Sequence, residues 1–282
     1  MEEPVDQVKK LTLIPQFEQR TPEWYQQREN AITASDMPTV LGENAYKTPY
    51  SLLIDKCNAN PKPFIGNEAT RWGNHYEDIA IEKYSQLRNK KVLSFGLLIH
   101  PDYPWLGGSP DGITTDGILL EVKCPLKRKI IPGEVPHHYL SQVLLNLEIC
   151  NLELAHFIEF VPGNSDDDYE INIVEVKRDR EWFSKELSKM KGFWDTVLFY
   201  RENGIEKHPK YRKTKAKTIK TKPEKVLPKV EPMFINEPEP EIEYESEPEI
   251  EISTKPLFLN EPEPEPEKPR VVKKTKRVPH FI

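Results

Sequence analysis

The residues best able to do chemistry lie in two adjoining stretches, Gly107-Gly108-Ser109-Pro110-Asp111-Gly112-Ile113 and Leu119-Leu120-Glu121-Val122-Lys123-Cys124-Pro125. Side chains alternate across a strand, so Glu121 and Lys123 project together while Val122 points into the core. A charged pair on one side of an apolar strand is costly unless something compensates it. A divalent cation and a nearby carboxylate would do so, and Asp111 is the carboxylate in reach. A three-residue loop, Thr115-Asp116-Gly117 with Gly117 left-handed, pairs Thr114 with Ile118 and sets Asp111 opposite Glu121. A two-residue Asp116-Gly117 turn would pair Asp111 with Val122 instead and turn its carboxylate away. Two carboxylates beside a lysine suit phosphodiester hydrolysis. Hard oxygen ligands hold Mg2+ while leaving water in its shell. The ion polarises the phosphate and acidifies a bound water, which Lys123 orients, or else Lys123 stabilises the charge that grows on the phosphorane.

These groups need a frame of helices and strands. Thr21 caps a helix with Pro22 at its first position, a second helix starts at Ser35 and ends by Gly42, and Thr48-Pro49 opens a third. Trp72, Tyr76, Ile79, Ala80 and Tyr84, with the Lys83 stem, give residues 70–88 helical spacing. Val92 to Ile99 and Ile118 to Val122 read as strands. Residues 137–149 are helical, with Tyr139, Leu140, Val143, Leu144 and Leu147 on one side. Two strands, Leu154 to Val161 and Tyr169 to Val176, flank a Pro162-Gly163-Asn164 turn, and a helix from Asp179 to Tyr200 closes the domain. The fold class expected is α/β, with helices flanking a mixed central sheet.

Aromatic and branched apolar residues are dense to about Tyr200 and then thin out, while 13 of the 27 prolines crowd into the shorter stretch after residue 204. One globular domain (1–204), a basic linker (205–230) and a Glu/Pro-rich tail with a basic end (231–282) follow from that shift. Net charge is −8 for residues 1–200, +8 for 201–230, −12 for 231–267 and +6 for 268–282. Glu-Pro alternation buries too little apolar area to offset ordering, so the tail is expected to be disordered. It repeats itself once: Pro232-Met233-Phe234-Ile235-Asn236-Glu237-Pro238 returns as Pro256-Leu257-Phe258-Leu259-Asn260-Glu261-Pro262. The basic segment around Lys213, Lys215, Lys217 and Lys220 is suited to holding DNA, with the glutamates competing for it. Lys273-Lys274-Thr275-Lys276-Arg277 has the composition of a nuclear-import signal. Cys57, Cys124 and Cys150 have no metal-ligand spacing and read as reduced thiols. Without a signal peptide or an apolar run near the ~20 residues of a membrane span, the chain is expected to be soluble and intracellular.

Pro110-Asp111 followed by Glu121-Val122-Lys123 resembles the PD-(D/E)xK nuclease superfamily. The triplet alone is weak. Glu175-Val176-Lys177 repeats it with no Pro-Asp hairpin before it and reads as a solvated strand edge. The wider context is more specific. In order, Trp24, Arg28, Ile32-Thr33-Ala34-Ser35, Val40-Leu41-Gly42, Gly73-Asn74-His75-Tyr76-Glu77-Asp78-Ile79-Ala80, the Asp111 hairpin and Gln142 resemble the lambda-type exonuclease and YqaJ-like viral recombinase family over about residues 20–162. The resemblance implies a restriction-endonuclease-like core, with Mg2+ or Mn2+ as cofactor, and cleavage of double-stranded DNA from a 5′ end. A single-strand annealing protein as partner and a ring-shaped homotrimer are also implied. It implies metal ligands at Glu77, Asp111, Glu121 and the Val122 carbonyl, with Lys123 acting on the water and Gln142 supporting the site. Arg28 and Ser35 would hold the 5′-phosphate, and Trp24 would touch the DNA end. Two rivals remain: a structure-specific or nicking endonuclease, and an end-binding scaffold that has lost cleavage.

Overall fold

Proline and capping side chains open the helices largely where the sequence places them. The computed structural model describes residues 3–57 and 67–211. Helices α1 (Pro4–Leu13) and α2 (Pro22–Glu29) carry proline in the first turn, where no N–H is needed. Thr21 Oγ1 accepts from Trp24 N at 3.3 Å. Strand β1 (Ile32–Thr33) runs into a 3-10 turn, Ala34–Asp36, and then α3 (Met37–Val40). Helix α4 (Pro49–Cys57) is capped by Thr48, whose Oγ1 accepts from Ser51 N at 3.2 Å. Helix α5 (Glu68–Arg88) starts at Asn67, which accepts from Thr70 N at 2.9 Å, and stops at left-handed Asn89.

The remaining strands are β2 (Val92–Leu93), β3 (Leu98–Ile99), β4 (Leu106–Gly108), β5 (Gly112–Thr114) and β6 (Ile118–Lys123). After α6 (His137–Cys150) come β7 (Leu154–Pro162), β8 (Tyr169–Lys177) and α7 (Arg180–Asn203). A five-stranded sheet has the order β2-β5-β6-β7-β8, antiparallel except between β6 and β7, and a three-stranded sheet has the order β1-β4-β3. Helix α6 is the crossover that makes β6 and β7 parallel. The main core gathers Leu119, Phe157, Val143 and Leu147, with Trp194 of α7. A second layer packs Ala80 and Tyr84 of α5 on Leu120, Val122, Ile158 and Phe160. Alternation along β6 therefore sends Leu119, Glu121 and Lys123 toward α6, and Leu120 and Val122 toward α5.

Four readings change. Val92 to Ile99 is not one strand, because its halves join different sheets. At the break, Gly96 passes so close to residue 17 that an added Cβ would lie 2.1 Å from Phe17 O. Ser35 does not start its helix. The entry is organised by Asp36, whose Oδ2 accepts from Thr33 N at 3.0 Å. Helix α1 is unmarked in the sequence because it buries only Val8 and Leu11. Packing continues past residue 204, where His208 lies between the rings of Tyr50 and Tyr200 at 4.6 and 5.1 Å. The repeat, the basic segment from Lys213 onward, the glutamate block and the basic end lie outside the described residues.

The hairpin register is the one that the three-residue loop demands: Gly112 pairs with Leu120 and Ile113 with Leu119. Gly117 has φ +92° and donates to Thr114 O at 2.9 Å. A Cβ at Gly117 would also meet Pro4 Cβ at 2.5 Å. Gly117→Ala is expected to lower unfolding free energy by about 1–2 kcal/mol in urea titration, a combined cost of positive φ and crowding. Unchanged stability would show that the loop does not fix the register.

Candidate active site

Strand β6 delivers Glu121 to a place with no solvent at all (0% exposed). A carboxylate there costs several kcal/mol unless its lone pairs are filled. Three donors fill them. Lys123 Nζ and Gln142 Nε2 each reach Oε1 at 2.5 Å, and Asn146 Nδ2 reaches Oε2 at 3.2 Å. Gln142 and Asn146 are four apart on α6 and so share the face turned to β6. The Lys123 ammonium also stands 5.2 Å from the centre of the Tyr139 ring.

Asp111 lies just beyond the paired part of β5. Its Oδ2 accepts from Val122 N at 2.7 Å, giving that buried N–H an acceptor where strand pairing ends. Glu77 comes from α5, and Arg20 Nη2 forks across both its oxygens at 2.9 Å. Burial raises the Glu77 pKa to about 7, helped by the charge of Asp111 and opposed by Arg20 and Lys123. Burial likewise lifts Glu121 to about 7; Lys123 opposes the shift, while Asp111 and Glu77 add to it. Asp111 is raised by burial against the pull of Lys123 and the Val122 N–H. Burial works against the charge on Lys123, yet Glu121 and Asp111 outweigh it and the ammonium is held more firmly than usual. Cys124, beside the site, is pushed up to about 12 by burial and by Glu77 and Asp111, so its thiol stays protonated.

Among the described residues, no three His, Cys, Asp or Glu side chains are placed so that together they could hold a metal ion. Glu77 is turned to Arg20. The donor chemistry nonetheless fits a hard divalent cation: all the donors are oxygens, and the charge of Asp111 raises the pKa of both Glu77 and Glu121, a repulsion such an ion would relieve. Two openings reach the site. A cleft of about 660 Å3 is lined by Phe17, Arg20, Phe95, Glu77 and Asp111. Another of about 300 Å3 is lined by Glu77, Lys123, Arg128 and Tyr139.

A second polar cluster gathers Arg28 and Ser35. Arg28 Nη2 donates to Ser35 Oγ at 2.7 Å and Thr33 Oγ1 at 3.2 Å, and the guanidinium lies 4.3 Å above the Trp24 ring. Asp36 accepts from Lys56 at 2.9 Å, and Lys56 also donates to the carbonyls of Arg28 and Ala31. Trp24 corrects an expectation. It is buried, Arg28 covers one face, and its Nε1 donates to Ser109 Oγ at 3.0 Å, so the ring is not presented to a DNA end. Glu175 and Lys177 lie exposed on the edge strand β8, apart from this chemistry. Sequence reasoning missed Arg20, Asn146, Asp36 and Lys56. Only Asn146 carried a signal, its i,i+4 spacing from Gln142.

Residues 23–153 match the YqaJ-like viral recombinase domain, a stretch that holds Arg28, Glu77, Asp111, Glu121, Lys123 and Gln142. Over 172 residues the chain is 36% identical to protein R354 of Acanthamoeba polyphaga mimivirus, covering 55% of this chain and 31% of that protein. It is 29% identical over 184 residues to protein YqaJ of Bacillus subtilis (strain 168), covering 62% and 56%. The chain thus spans about a third to just over half of these curated relatives. An alkaline exonuclease from Laribacter hongkongensis shares the fold, with a TM-score of 0.56 at 21% identity over 65% of this chain and 95% of that one. No helix among the described residues is long and apolar enough to cross a membrane.

The acids of this site give a pH signature. Glu77 and Glu121 titrate near 7 when folded and near 4.5 when unfolded, so the folded state holds extra protons between those values. Stability is full below about 4.5 and is lost as pH rises through 7. In metal-free buffer the loss between pH 5 and 8 should be on the order of 1–3 kcal/mol, and Glu121→Gln should flatten it. Thermal melts across that range read it; a wild-type slope that Glu121→Gln leaves intact would refute the assignment.

Proposed function

We propose that the protein is a divalent-metal-dependent DNA nuclease that resects double-stranded DNA from 5′ ends, in recombination or repair of the viral or phage type. The observation carrying this reading is the meeting of Asp111, Glu121 and Glu77 from three different elements around the Lys123 ammonium. Asp111, Glu121 and the Val122 carbonyl would hold Mg2+ or Mn2+, with Glu77 contributing from α5. Such an ion supplies a polarised phosphate and an acidified water. Lys123, kept cationic by its carboxylate neighbours, stabilises charge as it develops on the phosphate or orients the attacking water. Gln142 acts through Glu121 by fixing one of its oxygens. Fold likeness to an exonuclease and the match of residues 23–153 to a recombinase family support the reading, and both are consistent with DNA as substrate. A homotrimer enclosing the duplex and a single-strand annealing protein are the assembly and partner this role calls for.

The Arg28 cluster suits the 5′ end. Its guanidinium is already oriented by Ser35, Thr33 and the Trp24 face, and charge-assisted bonds to phosphate are the strong kind. Lys123→Ala should cut a linear 5′-phosphorylated duplex at least about 100-fold more slowly with Mg2+ while still binding it, as expected when transition-state charge stabilisation is removed. Equal cutting by the variant would refute the site. Prompt nicking of closed circular DNA by wild type would favour an endonuclease. No cleavage of any substrate would favour a binding scaffold. Arg28→Gln should erase a preference for 5′-phosphate over 5′-hydroxyl ends worth roughly tenfold or more, the usual scale for a hydrogen bond to a charged group. A preserved preference would place end recognition elsewhere.

A further inference from the structure

We propose that the 660 Å3 cleft is a nucleobase subsite, with Phe17 as the platform on which a base of the strand being cut stacks. This rests on the nuclease reading and adds to it a residue with no counterpart among the groups already assigned.

The argument begins with how firmly the backbone around Phe17 is held. Gln16 Nε2 donates to Leu11 O and Ile14 O at 3.1 and 3.2 Å, and its Oε1 accepts from Gly96 N at 2.6 Å. Gln19 Nε2 donates to Phe95 O at 2.8 Å and to Pro110 O at 3.1 Å. Backbone contact with Gly96 is close enough that any Cβ there would strike Phe17 O. Phe17 is thus fixed from both sides, yet the residue is 46% exposed, beside Ile14 at 41%. A floppy loop often leaves apolar side chains in water. A pinned one that does so presents a rigid apolar surface, which costs hydration and serves packing poorly.

Charge then selects the occupant. The cleft walls carry Glu18, Asp78 and Asp111, and the cation among the lining residues, Arg20, is already engaged by Glu77. Such a surface repels a phosphate and leaves a neutral, flat base unopposed. The base is drawn in over Phe17 while its phosphate stays toward the mouth. Aromatic stacking of this kind tolerates every base, as a resecting enzyme requires. Position is coupled to chemistry through Gln19: its second acceptor is the carbonyl of Pro110, the residue before Asp111.

The test uses the full-length protein and a 5′-phosphorylated duplex carrying 2-aminopurine near its end. Binding and fluorescence are read in EDTA, and cleavage with Mg2+ is read in parallel. Wild type should quench the probe on binding. Phe17→Ala should bind about tenfold more weakly, within the range for loss of one base–aromatic stack, and lose the quenching. It should raise KM with kcat unchanged, while Phe17→Trp keeps both binding and quenching. Phe17→Leu separates stacking from packing: behaviour like Phe17→Ala supports the platform, and behaviour like wild type overturns it. The proposal also falls if Phe17→Ala binds and quenches as wild type does, or if its only defect is loss of a bound protein partner. Failure of wild type to cut DNA, with Phe17-dependent quenching intact, would remove the nuclease reading and leave the subsite standing.

Discussion

An ionisable carboxyl with no access to water dictates much of this architecture. Glu121 must find donors inside the protein, and β6 alone supplies just Lys123. The other two come from α6, which has to lie along the sheet at a register that brings Gln142 and Asn146 over β6. The same face holds a second buried glutamate, since Glu159 of β7 pairs in register with Lys123 of β6. Glu159 is satisfied in the same manner, by Arg128 and by Asn172 of β8. Stripping the partner from a buried charge costs about 3–5 kcal/mol, so these contacts constrain the crossover as firmly as apolar packing does. The main core can be repacked by similar apolar side chains, but the polar face above β6 and β7 cannot.

The short connector from β4 to β5 joins the two polar clusters. Ser109 receives the Trp24 indole N–H, and Trp24 in turn carries Arg28 on its face. One residue on, the Pro110 carbonyl receives Gln19, and the next residue is Asp111. A displacement of this connector would therefore move the end-binding candidate, the Phe17 segment and a central carboxylate together. Catalytic geometry tolerates little slack, so tying these groups to one rigid segment is a physical way of holding their spacing.

Legibility in the sequence followed the range of the forces involved. The Asp111–Glu121 register was readable because a turn needing positive φ at Gly117 fixes it locally. Helices α2, α4, α5, α6 and α7 were readable from capping residues and long apolar spacing. The split at Gly96 was not, because it depends on a contact with residue 17, distant along the chain. Arg20 was equally hidden: its role comes from meeting Glu77 across 57 positions, and its backbone sits at φ +70°, which no local residue pattern announces. Trp24 was misassigned for a related reason. An aromatic beside an arginine looks available until the tertiary structure shows the arginine lying on it.

Net charge raises the hardest objection to DNA as substrate, because the domain is acidic and phosphate contacts dominate such binding. The count overstates the repulsion. Glu148 and Glu153 are taken up by Arg178 and Arg180, Asp36 by Lys56, and Glu159 by Arg128, so many acids are already neutralised within a few ångströms. Near β6, burial raises the pKa of Glu77 and Glu121 to about 7, which lessens the negative charge there at neutral pH. A divalent cation, bound at the same oxygens, would invert the local sign altogether. The acidic walls would then disfavour a phosphate deep in the cleft except beside such an ion. On this view the acidity works as part of substrate selection, because it leaves a single favourable position for the scissile group.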